Sequence, residues 1–331
     1  MAGKRIMSAP LSLKVRVTAY LAERRRLGFD LRSVEYALRG FACHVQAVGH
    51  RGPLTLEVMA DWARRDSHGS TDPHTWARRL KNLRSFTRWL QQFEPRTEVP
   101  DDTIFGRLPQ RQAPHIYSED EIVDLLAAAR RLGPSSSLRG MIFETLFGLV
   151  ASTGLRISEA LTLRIEDVDL TRGMLVIHQT KFNKSRQVPM HASTIKALRH
   201  FRSARDLSGE STQDDAPFFV CTRGRRSGLA LGERQVHRVF AELRQHLGWR
   251  NRGTHHAPRI HDLRHSFVVH RIIRWHEQGV DIDQAMLSLS TYVGHGMVTN
   301  TYWYLSAVPE LMGLAAERFE SFMAQPEVQD A

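Results

Sequence analysis

The most informative stretch of the sequence is Thr-Gly-Leu-Arg-Ile-Ser-Glu-Ala-Leu, residues 153–161. It follows an apolar segment at residues 141–151 that predicts a buried helix, and Gly154 marks the end of that helix. A new helix that starts just after the glycine places Arg156 near a helix N-terminus, where backbone N–H groups and the guanidinium can bind one anion together. Glu159, three residues further on, has the spacing to hold the arginine in place. By itself this pattern is more typical of a helix start with a surface ion pair than of a functional site.

A basic hairpin is predicted next along the chain. Residues 174–178 (Met-Leu-Val-Ile-His) predict a strand, residues 187–190 predict its partner, and residues 181–186 form the polar tip between them. The tip carries Lys181, Lys184 and Arg186. Such a tip is usually a solvated turn, but two strands can also hold basic side chains out toward DNA. Lys184 and Arg186 are therefore candidates for contact with DNA.

The third cluster is His261-Asp262-Leu263-Arg264-His265, at the start of a segment that predicts a helix over residues 261–276. Positions 261, 264 and 265 share one face of such a helix. Two histidines four residues apart are reminiscent of the zinc motif H-E-x-x-H, but Asp262 is too short for the glutamate of that motif and no third ligand is evident. Arg264 on the same face would repel a dication. The cluster favours an anion, and the sequence predicts no metal ligands.

The fourth cluster joins Gly294-His295 to the aromatic run Thr301-Tyr302-Trp303-Tyr304-Leu305. An aromatic run of this kind usually packs in a core. Together with the other clusters, however, it adds an imidazole and a phenol to two guanidiniums and a lysine. These side chains can act on a phosphodiester without a metal. Guanidiniums neutralise the non-bridging oxygens, a phenol attacks phosphorus, and a lysine gives a proton to the departing oxygen.

In order and spacing, the four clusters resemble the tyrosine recombinases, the phage integrase family. Residues 153–163 are similar to the G-L-R-x-x-E-x-x-x-L box of that family, and residues 184–189 to its K-x-R-x-V-P run. Residues 261–265 are similar to its H-x-L-R-H box, and residues 294–295 to its G-H box. The nucleophile of the family then falls nine residues after His295, at Tyr304. The resemblance covers residues 115–320 by motif, and residues 11–98 by architecture only.

The resemblance implies a role for each matching residue. Tyr304 attacks the scissile phosphate, leaving a 3′-phosphotyrosyl link and a free 5′ hydroxyl, while Arg156 and Arg264 hold the non-bridging oxygens. Lys181 protonates the leaving oxygen, and His261 assists proton transfer at the nucleophile. His295 hydrogen-bonds the phosphate, and the supporting residues are Glu159 and His265. No cofactor is implied.

Two of these assignments keep an alternative. The family usually has a glycine on either side of its hairpin lysine, whereas Thr180 and Phe182 flank Lys181 here. Lys184 therefore stays an alternative to Lys181. Tyr302 is a nearby alternative nucleophile, and the spacing favours Tyr304.

Helical periodicity predicts four helices within residues 11–93. The fourth has the clearest start, with Asp72 as N-cap and Pro73 in the first helical position. Its apolar stripe predicts a core. Basic side chains are distributed around this helix as candidates for contact with DNA phosphates: Arg78, Arg79, Lys81, Arg84 and Arg88.

Periodicity stops after residue 93, in a segment rich in proline, and resumes at a Ser118–Glu121 capping box. The expected organisation is a helical DNA-binding domain at residues 1–98, a linker at residues 99–117, and a catalytic domain at residues 118–331 that ends in a tail helix. The sequence alone leaves open whether that tail docks on its own protomer or on a neighbouring one.

Charge and composition restrict the class of protein. The 331 residues hold 46 Lys and Arg against 35 Asp and Glu, a net charge of +11, and residues 1–100 alone carry +9. This excess favours a polyanion partner, and nucleic acid is the commonest one. Two cysteines are too few for a disulfide framework, and the sequence has neither a long apolar run nor an apolar signal core. We therefore expect a cytoplasmic protein without a membrane segment.

The expected fold class is mainly α with a small β-sheet: a helical, SAM-like core-binding domain and the α+β catalytic domain of a tyrosine recombinase. The resemblance implies a site-specific recombinase or integrase of a phage, transposon or integrative island. It would bind double-stranded DNA as a homotetramer on two duplexes, with or without sister recombinases. Two alternatives stay open: DNA relaxation of the type IB topoisomerase kind, and a catalytically decayed DNA-binding regulator.

Overall fold

The computed structural model describes residues 12–65, 69–108, 113–134, 137–180, 184–250, 257–308, 311–313 and 316. The chain divides into two compact units, Met1–Arg111 and Gln112–Ala331. The division falls inside the segment that the sequence analysis assigns to a linker. Each unit has its own hydrophobic core.

The first unit contains the four predicted helices: α1 (Leu13–Arg26), α2 (Arg32–Ala47), α3 (Leu56–Arg64) and α4 (Pro73–Leu90). The predicted start of α4 is confirmed, since the Asp72 side chain accepts a hydrogen bond from the His74 N–H and Pro73 occupies the first turn. The apolar stripe of α4 faces the core of the unit, where Leu83, Phe86 and Leu90 are fully buried. This packing leaves the polar side of α4 on the surface.

The two ends of the predicted linker pack with different units: its first residues with the first unit and its last with the second. Arg84 of α4 binds residues just after position 98, because its Nε donates to the Pro100 carbonyl at 2.8 Å and its Nη2 to Asp102 at 2.8 Å. Phe105 packs against the first core, whereas Tyr117 is fully buried in the second. Residues at the start of the predicted linker thus pack with the first unit and Tyr117 with the second, while the boundaries at residues 98 and 118 stay a prediction.

The second unit is built around helix α6 (Leu138–Thr153), which contacts α5 (Glu119–Arg130), α8 (Ala192–Leu207) and α10 (Ile260–Glu277). Apolar residues occur on all sides of α6, as expected for a helix that is buried by several neighbours. The predicted capping box of α5 is confirmed, because Ser118 and Glu121 cap each other reciprocally. The other helices of this unit are α7 (Ile157–Leu161), α9 (Glu233–His246), α11 (Ile282–Val293) and α12 (Thr299–Ala307), with a short 3-10 turn at Gly224–Arg226.

A three-stranded antiparallel sheet in the order β1-β2-β3 completes the described part of the second unit. Its strands are β1 (Val168–Asp169), β2 (Met174–Thr180) and β3 (Lys184–Pro189). The prediction that the second hairpin strand starts at residue 187 is wrong, because pairing between β2 and β3 extends to Thr180 opposite Lys184. The short strand β1 was not predicted. With these corrections the fold class is the expected one, mainly α with a small β-sheet.

The C-terminal part contains an element that the sequence analysis missed. Residues 301–305 belong to helix α12, which contacts α11 and packs in a second apolar cluster with α10. In that cluster Tyr304, Val308 and Leu311 are each 1% exposed. Most of the tail helix predicted after residue 310 lies outside the described residues. In the described part, no helix has the length and apolar character needed to span a bilayer.

Candidate active site

Arg156 lies at the turn that separates α6 from α7. Gly154 ends α6 with a positive φ of 63°, and Arg156 is the N-cap residue of α7. The guanidinium is held from two sides, since Nη1 contacts Glu159 Oε1 at 2.7 Å and Nη2 donates to the Gly294 carbonyl at 2.8 Å. The predicted brace from Glu159 is therefore present in the structure. The sequence analysis quoted Gly294 as part of the G-H box but gave it no role, and its carbonyl binds Arg156 next to His295.

Glu159 is shared between two arginines. Its side chain is 8% exposed and also accepts hydrogen bonds from Arg186, at 3.1 Å to Oε1 and 2.8 Å to Oε2. Desolvation raises the pKa of this carboxyl, but the hydrogen bonds and charge of Arg186, together with those of Arg156, outweigh it and lower the pKa to about 2. Glu159 is therefore ionised at neutral pH and fixes both guanidiniums.

The position of Arg186 does not fit the predicted DNA contact. Its side chain is only 10% exposed, and its Nε donates to the Tyr292 carbonyl at 2.9 Å. The reason is the alternation of β3, in which Arg186 shares a face with the fully buried Val188. That alternation is visible in the sequence and could have assigned Arg186 to the interior.

Arg264 lies in the first turns of α10, which begins at a reciprocal cap between Arg259 and Asp262. Arg264 is 1% exposed, and its Nη1 donates to the Gly154 carbonyl at 2.7 Å. Its Nη2 is also buried and has no hydrogen-bond partner among the described residues. Burial, followed by the charge of Arg156, lowers the pKa of Arg264 to about 10, so the side chain stays protonated at pH 7. A buried cation with a free donor can bind an anion strongly.

Two histidines contact Tyr304, and a third contacts one of these two. His265 Nδ1 lies 2.6 Å from the Tyr304 hydroxyl, and the His295 ring stacks on the Tyr304 ring with centroids 6.4 Å apart. His295 is in turn held by the hydroxyl of Thr301, a fully buried residue that the sequence analysis missed, at 2.7 Å from its Nδ1. The centroids of the His261 and His265 rings are 4.7 Å apart.

His261 is exposed, whereas His265 is buried and His295 is half-buried. Desolvation of the ring, followed by the charge of Arg264, lowers its pKa to about 4. The imidazole is therefore neutral at pH 7, and it can accept a proton or donate one hydrogen bond. The alternative nucleophile Tyr302 is 37% exposed, whereas Tyr304 is 1% exposed and in contact with the histidines.

The remaining candidates are either outside the described residues or on α4. Lys181 lies outside the described residues, and Lys184 is described only as the backbone that begins β3. On α4, Arg79 donates to the Trp62 carbonyl at 3.0 Å and Arg84 holds the segment at Pro100, so both bind their own unit. The exposed basic side chains of that helix are Arg78, Lys81 and Arg88.

The assembled cluster is suited to a phosphodiester. Two guanidiniums, one of them buried with a free donor, lie beside three imidazoles and a phenol. Fixed cationic donors of this kind stabilise the negative charge that develops on non-bridging oxygens. Among the described residues, no group of three His, Cys, Asp or Glu side chains has the arrangement to hold a metal ion.

Comparisons with known proteins agree with this geometry. Residues 116–310 match the sequence profile of the Phage integrase family. The chain is 38% identical over 307 residues to a Sinorhizobium fredii protein described as an integrase/recombinase, y4rB, with 92% of this chain and 96% of that protein covered. It is 27% identical to the tyrosine recombinase XerC of Mycobacterium leprae, over 81% of this chain and 84% of the relative. Its fold is similar to that of the Tn1549 transposon integrase in complex with a circular intermediate DNA, with a TM-score of 0.61, 15% identity, and coverage of 92% and 99% of the two chains.

Proposed function

Because the chain belongs to the phage integrase family of tyrosine recombinases, we propose that it carries out site-specific recombination by transferring DNA strands through a covalent link to Tyr304. The observation that carries this assignment is the contact of the buried Tyr304 hydroxyl with the cluster that holds Arg264 and His295. The sequence motifs, which are far apart along the chain, support the same site.

In the proposed reaction the Tyr304 oxygen forms a bond to phosphorus and the bond from phosphorus to the 5′ oxygen breaks. Arg156 and Arg264 neutralise the non-bridging oxygens during this exchange, and the free Nη2 of Arg264 supports that role. The phenol proton passes to an imidazole, which the resemblance assigns to His261. Lys181 protonates the 5′ oxygen. The phosphotyrosyl bond conserves the energy needed to rejoin a strand, so no high-energy cofactor is required.

We propose that the reaction needs no metal ion. The charges that a metal would supply are already provided by two guanidiniums, and these would repel a dication at the same position. The expected result is that EDTA leaves the formation of the covalent DNA adduct unchanged. A loss of adduct that returns on addition of Mg²⁺ would contradict this part of the proposal.

The proposed partner is double-stranded DNA, which the exposed cations of α4 support. We further propose that the chain acts in the cytoplasm, as a homotetramer that joins two duplexes. Exchange between two duplexes requires two cleaved strands to be held at one time, and one Tyr304 per chain then requires several protomers. Native mass measurement of the complex with DNA tests the number of protomers.

The direct test uses a recombination site that carries a nick close to the cleavage point, so that the released fragment diffuses away and the covalent adduct accumulates. The wild-type protein is expected to form an adduct that migrates with the protein on a denaturing gel, and Tyr304→Phe is expected to form none. Tyr302→Phe is the matched control, since it removes a hydroxyl two residues away. An adduct with Tyr304→Phe but not with Tyr302→Phe would transfer the role to Tyr302.

A further inference from the structure

The Tyr304 hydroxyl is in hydrogen-bond contact with His265. The Tyr304 Oη and His265 Nδ1 atoms are 2.6 Å apart, and the two residues are 1% and 4% exposed. A contact of this length is at the short end of the range for hydrogen bonds between O–H donors and nitrogen acceptors. The resemblance gives His265 only a supporting role, so the geometry raises a different assignment for this residue.

Two helices fix the position of the His265 ring. His265 lies one turn after His261 on α10, and the two rings meet edge to face with centroids 4.7 Å apart. Trp303 of α12 closes another side, with ring centroids 6.4 Å apart. Because α10 and α12 both pack in the apolar cluster that contains Tyr304, the imidazole has little freedom to turn away from the phenol.

The contact also defines a direction for the proton. When the ring carries its own proton on Nε2, Nδ1 is the acceptor and the phenol is the donor. The titratable and charged groups around this pair are His261 and Arg264 from α10, His295 from the turn before α12, and the N-cap residue Arg156 with Glu159 of α7. The two arginines disfavour a second positive charge nearby.

On the basis of the proposed function, we propose that His265, rather than His261, receives the phenol proton when Tyr304 attacks. In this step the Tyr304 Oη–P bond forms, the P–O5′ bond breaks, and the Tyr304 proton moves to His265 Nδ1. The 5′ oxygen takes a separate proton from the general acid. His261, which reaches the surface beside Arg264, is left to hydrogen-bond the phosphate. His265 is a catalytic residue in this assignment because it touches the reacting oxygen.

The first test compares His265→Asn with the wild type in single-turnover cleavage of the nicked site across pH. Asparagine keeps a polar atom near the position of Nδ1 but cannot take up the proton near neutral pH. A general base typically contributes about 10²–10⁴-fold, so the expected loss at pH 7 is of that order. The loss is expected to shrink as the pH approaches the ordinary pKa of a phenol, near 10, where the tyrosine ionises without a base.

His276→Asn is the matched control, because His276 is in the last turn of the same helix. It is expected to cleave as the wild type does. A His265→Asn rate within threefold of the wild type at pH 7 would overturn the proposal. So would a loss that stays constant with pH, since that is the result expected of a merely structural residue.

The second test distinguishes removal of the proton from Tyr304 from donation of a proton to the 5′ oxygen. Replacing the bridging 5′ oxygen by sulfur gives a leaving group that needs no proton, because a thiol is far more acidic than an alcohol. Cleavage by His265→Asn is expected to stay slow on this DNA. Lys181→Ala, a variant of the general acid, is expected to regain its cleavage rate. Recovery of His265→Asn would show that it acts at the leaving oxygen and would overturn the assignment. An adduct from Tyr304→Phe would instead reject Tyr304 as the nucleophile, the part of the proposed function on which this assignment rests.

Discussion

At the scale of single residues, the ionised carboxylate of Glu159 stabilises the fold. Its folded pKa of about 2 lies below the ordinary value of 4.5, so its ionised form stabilises the fold. That contribution is complete above about pH 5 and is lost as the pH falls toward 2. The shift corresponds to about 3 kcal/mol of unfolding free energy, because one pKa unit is worth about 1.4 kcal/mol.

Glu159→Gln is therefore expected to lower the free energy of unfolding by a few kcal/mol at pH 7 and by less than half as much at pH 3. Urea unfolding of both proteins at the two pH values measures the difference. Asp206→Asn is a useful control, because Asp206 pairs with Arg202 on a partly exposed helix face. A Glu159→Gln effect equal at both pH values would show that the carboxylate is not the source of the stabilisation.

Arg156 and Arg264 are expected to act on the rate of cleavage more than on DNA affinity. Arg156→Ala or Arg264→Ala each removes a donor at the oxygens where charge develops, and such a donor typically contributes about 10²–10³-fold in rate. Filter binding and single-turnover cleavage on the same DNA give the two quantities. Arg172→Ala is the control, since the Arg172 side chain is 84% exposed in the turn before β2. Equal losses in affinity and rate would count against the assignment of these two residues as clamps.

Sequence reasoning at this scale was accurate where spacing along one helix was sufficient. The brace between Arg156 and Glu159 follows from a separation of three residues, and the shared face of His261 and His265 from a separation of four. It did not anticipate the burial of Arg186, because basic residues in a motif were interpreted as surface charge. The second bond of Glu159, to a strand 27 residues away, depends on tertiary packing that no local pattern contains.

At the scale of elements, the ends of α6 and α11 position the site through glycines. Gly154 has a φ of +63°, and a Cβ there would lie 2.5 Å from Phe267 Cδ1. Gly154→Ala is expected to lower the free energy of unfolding by about 2–4 kcal/mol, from backbone strain and from the displaced Phe267 ring. It should also slow cleavage, since the Gly154 carbonyl accepts the Arg264 bond.

Gly279→Ala provides the comparison for that prediction. Gly279 ends α10 with a similar φ of +68°, but no atom lies within 4 Å of the position of its Cβ. In this variant backbone strain alone should lower the free energy of unfolding, by about 1 kcal/mol. DNA cleavage should be as in the wild type. Thermal unfolding and cleavage of both variants are the measurements, and equal losses in the two variants would refute the role given to the Gly154 contact.

Helix α4 is expected to supply backbone contacts to DNA through one face. Arg78, Lys81 and Arg88 lie on neighbouring positions of the exposed side, within less than a quarter turn of one another. Replacing all three by glutamine should weaken DNA binding independently of sequence. It should also reduce the slope of affinity against salt by roughly 1 for each DNA phosphate that the variant no longer neutralises.

The other two basic residues of α4 make the contrasting prediction. Arg79→Gln and Arg84→Gln remove bonds to Trp62 and Pro100, so they are expected to lower thermal stability and leave the salt slope unchanged. Titrations at several salt concentrations and thermal melts distinguish the two sets. A salt slope that responds to Arg79→Gln and Arg84→Gln as strongly as to the triple variant would reject this division of α4.

Elements with local signals could be predicted closely, and α12 shows why others could not. The starts of α4 and α5 have side-chain caps that are readable in the sequence. Helix α12 has no capping side chain and no acidic residue in its first turn, and its Tyr-Trp-Tyr run does not favour a helix. It is helical because its apolar side chains are buried against α10 and α11, which is a tertiary effect.

At the scale of the whole molecule, positive charge and chemistry are divided between the two units. The first 100 residues carry most of the net charge, while the site that unites the four motifs lies entirely in Gln112–Ala331. Composition could locate the charge, and motifs could locate the reacting residues. Neither could show that Tyr304 is 1% exposed, with its hydroxyl against His265.

The measurement that tests the account most directly is the identification of the amino acid bonded to DNA. The trapped adduct is digested with protease and nuclease, and the remaining nucleotide-bearing peptide is sequenced by tandem mass spectrometry. The account predicts a phosphotyrosyl bond to the 3′ end at Tyr304. A nucleotide on Tyr302 or on any other residue, or a bond to the 5′ end, would contradict it.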